Sequence, residues 1–370
     1  MPRSDHVDAK REARMRERMA MAYWLTEAWY CALYSDLLVE EGLQARTLLD
    51  QPMVLWRDTK GAVHAMEDRC PHRYAPLSLG KQVGDNIRCG YHGLEFDGSG
   101  MCVRNPHGGG QIPRSAALRT YPACERGGIV WVWMGRGEPT FETIPDLSIF
   151  EEGSPYQLGQ PGWLSLDVPF DLMIDNLMDL SHAALLHENI LGNEQSIAGE
   201  TRFREENGLV YAQRLMPNID PPEYFDLIYL NDGAKIDMWH DIHWQAPASL
   251  LLDIGSTHPG GTKDEGTSVL AQHIITPVTE TSCMYHFMSA RRNPPKRGEA
   301  EDAQIQARLF ELRKMAFAEQ DAPMIAAQYA TIKRHGSYRP VALASIDKAV
   351  VLWRRRHEAA LAAETAARAA

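Results

Sequence analysis

The chain has 370 residues, of which 44% are hydrophobic and 24% are charged, and its formal net charge is −11. This composition is ordinary for a soluble globular protein, and the length allows two domains that each have a core. The acidic balance argues against binding to nucleic acid or to anionic membrane surfaces.

The N-terminus and the cysteines indicate the cellular compartment of the protein. The first 24 residues are charged and lack the apolar core of a signal peptide. No run of about eighteen apolar residues is present that would form a membrane-spanning helix. The six cysteines show no paired disulfide framework, which is typical of a reducing compartment. We therefore expect a cytoplasmic protein with no membrane contact.

In chain order, residues 1–22 predict a helical extension, with a short charged helix over 8–22. Residues 23–140 predict an all-β domain, because short β-type runs such as Ile129–Trp133 are broken by glycine and proline. The stretch Gly135–Pro139 marks the end of this domain.

Two pairs of metal-ligating residues stand inside the predicted β domain. Cys70 and His72 form a Cys-x-His pair, and after sixteen residues Cys89 and His92 form a Cys-x-x-His pair. A Rieske 2Fe–2S cluster needs this set, because two histidines replace two cysteines on one of its irons. A structural zinc site also accepts two cysteines and two histidines. The flanking sequences CPHRYAPLSLG and CGYHGLEFDGSG favour the Rieske cluster, because proline and glycine beside the ligands are typical of tight loops. We assign Cys70 and Cys89 to one iron, and His72 and His92 to the other.

Residues 141–370 predict a second domain of the α+β class. A helical pattern covers 170–190, and a surface helix rich in alanine covers roughly 345–367. Strand-like stretches follow one another without an intervening helical pattern, which favours an antiparallel sheet. These stretches cover residues 201–216, 224–230, 236–244, 248–256, 267–277 and 281–291.

His182 and His187 are five positions apart near the end of the helix predicted over 170–190. An ideal α-helix places such residues about 140° apart, so a shared ion requires a π-type turn or a break between them. The alternative is two unrelated histidines, one packed and one exposed. Because a cluster only moves electrons, we expect a second site downstream that uses them, and we favour the metal site.

Two histidines and one carboxylate form the facial triad of non-haem Fe(II) oxygenases. We favour Asp321 as the third ligand, because it lies just before Pro323, where a helix must kink or restart. Glu319, Glu311 and Asp302 compete with it on sequence alone.

Asn176 and Asp179 precede His182 at spacings that put all three on one helix face. An acid beside a metal-bound histidine orients its imidazole. The alternative for Asp179 is an ordinary surface acid.

These motifs resemble those of the oxygenase components of Rieske non-haem iron oxygenases, above all the vanillate and dicamba O-demethylase group. The resemblance covers residues from about 23 to about 350. Besides the cluster loops it includes Asn105-Pro-His107, the stretch from Asp175 to Ala183, Arg339-Pro340 and Asp347.

The resemblance implies a helix-grip catalytic domain in which Asp321 is the carboxylate ligand of one mononuclear Fe(II) per subunit. It also implies a ring-shaped homotrimer in which Asp179 bridges His92 of one subunit and His182 of the next. Asn176 would lie near the iron. The positions expected to line the substrate pocket are His240, His273 and Leu312, whose side chains do not repeat the set of a single known relative.

The activity implied by the resemblance is O2-dependent oxidative O-demethylation or N-dealkylation of a small aromatic compound. Electrons would come from NADH through a separate reductase, with or without a ferredoxin. One alternative is an aromatic ring hydroxylating dioxygenase, although such enzymes often have a longer α chain and a β partner. A more remote alternative is a Rieske electron carrier, which needs only about the first 140 residues.

Overall fold

The computed structural model describes residues 23–38, 42–336 and 338–369. The predicted extension over residues 1–22, including its helix over 8–22, lies outside the described residues. Within the described part of the chain, no helix combines the length and apolarity that a membrane crossing requires.

The N-terminal unit consists of short strands arranged in three antiparallel sheets, of order β1-β11-β10, β2-β3-β4-β9 and β5-β6-β7-β8. The strands are β1 (Trp29–Tyr34), β2 (Gln44–Leu48), β3 (Gln51–Arg57), β4 (Val63–Glu67), β5 (Lys81–Val83), β6 (Asn86–Arg88), β7 (Glu95–Phe96), β8 (Cys102–Arg104), β9 (Thr120–Tyr121), β10 (Ala123–Arg126) and β11 (Ile129–Trp133).

The C-terminal unit contains an antiparallel sheet of order β12-β19-β18-β17-β16-β15-β14, with β13 also paired to β19. Its strands are β12 (Gln157–Leu158), β13 (Gly162–Leu166), β14 (Glu200–Glu206), β15 (Leu209–Ile219), β16 (Ile236–Gln245), β17 (Ser249–Thr257), β18 (Thr267–Thr279) and β19 (Ser282–Arg292).

Five described α-helices accompany this sheet. They are α1 (Phe170–Met178), α2 (Glu223–Ile228), α3 (Glu299–Lys314), α4 (Ala322–His335) and α5 (Lys348–Ala369). A π-helical segment, Met315–Asp321, joins α3 to α4. The α+β class and the antiparallel sheet of the prediction are thus confirmed.

Three predicted elements differ from the structure. The stretch 201–216 is two strands, because Asn207 and Gly208 both have positive φ and form a tight hairpin turn. The stretch 224–230 is helical rather than extended: Pro222 caps α2, and the buried residues of α2 follow helical spacing. The helix predicted over 170–190 ends at Met178, and His182 begins a separate 3-10 turn.

The two units share a buried seam on one face of β1 and β11. Alternate residues of β1, such as Trp29 and Cys31, pack with Ile274 and Met288 of the C-terminal sheet, while the intervening residues face the N-terminal core. The hydroxyl of Thr276 donates to the carbonyl of Cys31 at 2.7 Å. Because both faces of β1 are buried, the units pack through a core rather than through a linker.

Helix α1 is held between the sheet and the last helix. Seven of its nine residues are buried, which is typical of a central helix. Its buried carboxylate, Asp175, accepts from Trp353 Nε1 at 3.0 Å and from Arg354 Nη2 at 2.6 Å. Arg354 also pairs with Asp171 at 3.1 Å. Helix α5 therefore fixes the helix whose C-terminal end leads to His182.

Replacing Arg354 with methionine is expected to lower the free energy of unfolding by about 3 kcal/mol, because the buried carboxylate of Asp175 loses its cation. Urea denaturation followed by circular dichroism measures the change. Arg355→Met, an exposed neighbour on the same helix, is the matched control and should stay within about 0.5 kcal/mol of the native protein. Equal losses in both variants would contradict this role of the ion pair.

Candidate metal centres

The two cysteine loops of the N-terminal unit repeat one backbone geometry. The amide of Tyr74 donates to the carbonyl of Cys70 at 2.8 Å, and the amide of Gly93 donates to the carbonyl of Cys89 at 3.0 Å. Tyr74 and Gly93 each lie four residues after the cysteine, and each has a positive φ. The sharp turn returns the chain past the cysteine in both loops, so that the two loops can enclose one metal group between them.

The four predicted cluster ligands lie together at the tips of these loops. The thiols of Cys70 and Cys89 are buried in one core cluster, and burial raises the pKa of Cys70 to about 11. The imidazoles of His72 and His92 lie next to each other, with ring centroids 4.6 Å apart. The pairing of thiol with thiol and imidazole with imidazole fits a cluster with two cysteines on one iron and two histidines on the other.

The histidine side of this site is open to solvent. His72 is exposed and His92 is partly exposed, and both line a surface cavity of about 430 Å³. A third histidine, His107, lines the same cavity, and its Nε2 lies 2.9 Å from the carbonyl of His92. The sequence indicated His107 only as part of a shared motif, with no place beside the cluster loops.

A second group of donors lies in the C-terminal unit. The Nε2 atoms of His182 and His187 are 3.2 Å apart, and Oδ1 of Asp321 lies 3.5 Å from the first and 3.3 Å from the second. With metal–ligand distances of about 2.1 Å, donors at right angles around one ion would lie about 3.0 Å apart. The triangle is therefore close to the size that one face of a metal's coordination shell requires.

Each donor of the triangle is oriented by a neighbour. The amide of Asn176 donates to Oδ1 of Asp321 at 3.0 Å. Oε1 of Gln320 accepts from Nδ1 of His187 at 2.8 Å, and the carbonyl of Asp179 accepts from Nδ1 of His182. Because the Nδ1 atoms carry the protons, both Nε2 lone pairs point toward the centre of the triangle.

The electrostatics of the triangle favour a cation. Asp321 is 1% exposed, and its Oδ2 has no hydrogen-bond partner among the described residues. Burial opposes protonation of His187, but hydrogen bonding to Asp321 and the charge of that carboxylate raise the pKa of His187 overall. The residues present thus fit a divalent metal such as iron, since a metal can bind the two neutral imidazoles and balance the carboxylate.

The backbone brings the three donors together through two breaks in helical structure. Helix α1 ends at Met178, and His182 and His187 lie in the turns that follow it. Asp321 ends the π segment, and Gln320 and Phe317 of the same segment also face the histidines. The predicted irregularity therefore occurs on both sides of the site. π-Helical turns are rare and are frequent at functional sites.

The competing acids lie elsewhere. Glu319 and Glu311 are exposed, and Asp302 pairs with Arg291 at 2.9 Å. The carboxylate of Asp179 does not touch His182: its Oδ1 accepts from the amide and hydroxyl of Ser181, and only its backbone carbonyl orients the imidazole.

Of the three predicted pocket residues, one lies at the triangle. His240 lines a small cavity of about 50 Å³ beside the donors, and its buried Nε2 has no partner among the described residues. Burial lowers the pKa of His240 to about 3, aided by the positive charge of Arg214, so its ring is neutral at pH 7. His273 lies behind the cavity wall, packed edge-on against Phe317, and Leu312 lies in the adjoining apolar core.

The remaining wall of this cavity is mainly apolar. Its side chains include Leu177, Leu180, Ile242, Leu252 and Phe317. An apolar wall excludes water from the donors and strengthens the electrostatic interactions among them.

The chain matches two family models. These are the Rieske [2Fe-2S] domain over residues 28–122 and the vanillate O-demethylase oxygenase C-terminal domain over residues 166–363. The second model covers the unit that contains the donor triangle, and the first covers the cysteine loops.

Curated relatives align over most of their length. The oxygenase component of chloroacetanilide N-alkylformylase from Rhizorhabdus wittichii is 36% identical over 92% of this chain and 97% of the relative. The oxygenase component of dicamba O-demethylase from Stenotrophomonas maltophilia is 37% identical over 72% of this chain and 78% of the relative. A crystal structure of dicamba monooxygenase bound to 3,6-dichlorosalicylic acid superimposes with a TM-score of 0.84 and 33% identity, covering 93% of this chain and 100% of that one.

Metal counting on variants tests the two ligand sets separately. We expect about three irons per native chain, two in the cluster and one in the triangle. Asp321→Ala should lose about one iron and keep the cluster absorption, whereas Cys70→Ser should lose the cluster absorption and keep the third iron. Glu319→Ala, two residues from Asp321 and exposed, is the matched control and should keep all of its iron. Full retention in Asp321→Ala with loss in Glu319→Ala would make Glu319 the third ligand.

Proposed function

Because the chain belongs to the Rieske oxygenase components that include the vanillate and dicamba O-demethylases, we propose that it removes an alkyl group oxidatively from a small aromatic ether or amide. It is a terminal oxygenase. One observation carries the proposal: a pair of cluster loops and a largely buried His-His-Asp triangle with an apolar cavity occur in the same chain.

The proposed reaction hydroxylates the carbon attached to the ether oxygen or amide nitrogen. The resulting hemiacetal or hemiaminal collapses to an alcohol or amide and an aldehyde. One atom of O2 enters the substrate carbon and the other leaves as water, with NADH supplying two electrons. When bound, the cluster supplies electrons one at a time and the iron activates oxygen.

The chain's own residues control where this chemistry occurs. Asn176 and Gln320 hold Asp321 and His187 in their positions, so the donor geometry is set before any substrate enters. Leu177 and Phe317 exclude water from the reacting carbon. The neutral ring of His240 offers an unpaired Nε2 in the cavity, from which it would form a hydrogen bond with the heteroatom of the substrate.

The proposed partners are a reductase that oxidises NADH and, in some systems, a ferredoxin. The exposed edge of His72 and the cavity of about 430 Å³ beside it provide a surface where another protein could approach the cluster. We also propose a homotrimer in which electrons cross from His92 of one subunit to His182 of the next through Asp179. The backbone carbonyl of Asp179 accepts from Nδ1 of His182, and its Oδ2 is left to accept from His92 because both hydrogen bonds from Ser181 go to Oδ1.

A substrate screen tests the proposed reaction. The protein is combined with a surrogate reductase, NADH and a panel of aromatic methyl ethers and N-alkyl amides. We expect a substrate to give NADH oxidation and aldehyde in equal amounts, with ¹⁸O from O2 in the aldehyde fraction. His187→Ala is the control and should give no aldehyde. A ring-hydroxylated product without aldehyde would replace dealkylation with the ring hydroxylating reaction.

Replacing Asp179 with asparagine tests the bridge between subunits. Asparagine keeps an oxygen for Ser181 but puts an amide donor where a charged acceptor is needed, and hydrogen bonds to charged groups are the stronger ones. We expect cluster reoxidation in single turnover to slow about tenfold or more, with iron content and substrate affinity unchanged. Ser181→Ala, which keeps the carboxylate, should retain most of the native rate.

A mixture of subunits gives an independent measurement of the same bridge. Cys70→Ser and His187→Ala chains are each expected to be inactive alone. If electrons cross between subunits, mixed trimers contain sites that pair an intact cluster with an intact iron, and activity partly returns. A mixture that stays inactive, after mixed trimers have been verified by mass spectrometry, would contradict transfer between subunits.

A further inference from the structure

A second and larger cavity lies on the same sheet as the donor triangle. It encloses about 500 Å³ between helix α3 and the strands β12, β18 and β19. Its polar lining includes Gln157, Tyr224, Ser289, Arg291 and Arg313. Nothing in the proposed mechanism uses these residues.

Arg291 is a buried cation whose hydrogen bonds are incomplete. Its side chain is 6% exposed. Nη1 donates to Oε1 of Gln157 and Oδ1 of Asp302, both at 2.9 Å, whereas Nε and Nη2 have no partner among the described residues. Buried guanidinium donors without acceptors are costly, so an acceptor that enters the cavity is favoured.

Arg313 adds a second cation to the same wall. Its Nη1 donates to the hydroxyl of Ser289, its buried Nε has no partner, and no carboxylate of the described residues forms an ion pair with it. Burial raises the pKa of Tyr224, and the charges of Arg313 and Arg291 both oppose that rise, so the two guanidinium groups act on the same part of the cavity. Arg308 and Glu311 also line the cavity, but Arg308 pairs with Glu223 at 2.6 Å and Glu311 is exposed. The buried part of the wall therefore carries two guanidinium groups, with Asp302 as the counter-ion of Arg291.

The backbone at Gly159 packs closely against Ser289 and Arg313. A Cβ atom at Gly159 would lie 2.4 Å from Oγ of Ser289 and 3.7 Å from Nη2 of Arg313. Glycine therefore lets the chain pass beside this pair without a side chain that would cover it.

The cavity is connected to the donor triangle through the sheet register. Ile254 of β17, which lines the small cavity, pairs with Val269 of β18, which pairs with Arg291 of β19. Directly paired residues of antiparallel strands point to the same face. Two strand spacings place Ile254 and Arg291 about 10 Å apart.

A thin apolar layer separates the two cavities. Leu312 packs in one core cluster with Ile254 of the small cavity and with Val269 and Leu309 of the large one. The small cavity, at about 50 Å³, has room for a few water molecules but not for an aromatic ring. A substrate arm that reaches the arginines from the triangle would pass through this layer, and movement of Leu312 would open that way.

We propose that Arg291 and Arg313 bind a carboxylate or sulfonate carried on an arm of the aromatic substrate, whose reacting group lies at the donor triangle. This inference rests on the proposed function, because it assigns the substrate class to the same site. An oxyanion fits these donors, because it accepts hydrogen bonds from Nε and Nη2 of Arg291 and balances the charge of Arg313.

Matched acids and amides measure the contribution of the anion. The probes are ω-(4-methoxyphenyl)alkanoic acids with arms of increasing length, each compared with its primary amide, and calorimetry on the intact protein gives the dissociation constants. We expect at least one acid to bind about tenfold or more tightly than its amide. Arg313→Gln should remove this preference by weakening the acid much more than the amide. Lys314→Gln, the exposed next residue on the same helix, is the matched control and should keep the preference.

A second variant preserves the test if Arg313→Gln does not fold. Arg291→Gln combined with Asp302→Asn removes the buried cation together with its counter-ion, and should also remove the preference. Equal affinity for acid and amide at every arm length, or a preference retained in both variants, would overturn the inference.

Inorganic sulfate separates a substrate arm from a free anion. If sulfate alone binds with the same dependence on Arg313 and abolishes the acid preference at micromolar concentration, the site serves a free anion and the inference is wrong. Formaldehyde release is measured on the same probes. An acid preference without formaldehyde from any probe would contradict the proposed dealkylation and leave the anion site in place.

Discussion

The carboxylate of Asp321 is the constraint on which the catalytic unit depends. It is buried, it accepts from the neutral amide of Asn176, and its nearest cationisable neighbours are two imidazoles. A carboxylate in such surroundings costs several kcal/mol unless a cation approaches it. The fold must therefore hold three donors close enough to share one ion. The C-terminal end of α1, the turns after it and the π segment place the donors at that distance.

The packing of the two units supports this arrangement from outside. The ion pair of Arg354 with Asp175 fixes α1 from the side of the last helix, and the seam on β1 and β11 fixes the sheet from the side of the cluster unit. A site whose donors lie on separate irregular segments gains its precision from such support, since turns alone are the more mobile parts of a fold.

The sequence was most informative where chemistry demands residue types at fixed spacing. The cluster loops, the two histidines and most strands of the sheet were predicted because each has a local pattern. The stretch 224–230 was assigned wrongly, because its apolar residues allow a strand as well as the helix that Pro222 begins. Local patterns are ambiguous for short apolar runs.

Other features depend on tertiary contacts that no local pattern reports. Gln320 orients His187 from a distance of 133 residues, and Arg291 and Arg313 face one cavity although they lie on a strand and a helix. The sequence showed no arginine clamp for an acid, because such a clamp is assembled by the register of β18 and β19 and by the helix that covers them. His273 and Leu312 do not line the small cavity, and their role as substrate contacts stays a prediction.

Because Asp321 ends the π segment, its direction toward the histidines depends on how many residues precede it in that segment. Each residue of an α-helix turns the chain by about 100°, so a single residue added or removed between Met315 and Asp321 would rotate the carboxylate away from both histidines. The composition of the helix and its length would hardly change. Insertions and deletions in this segment would therefore be far less tolerated than substitutions, and alignments of related chains should keep its length constant even where its residues differ.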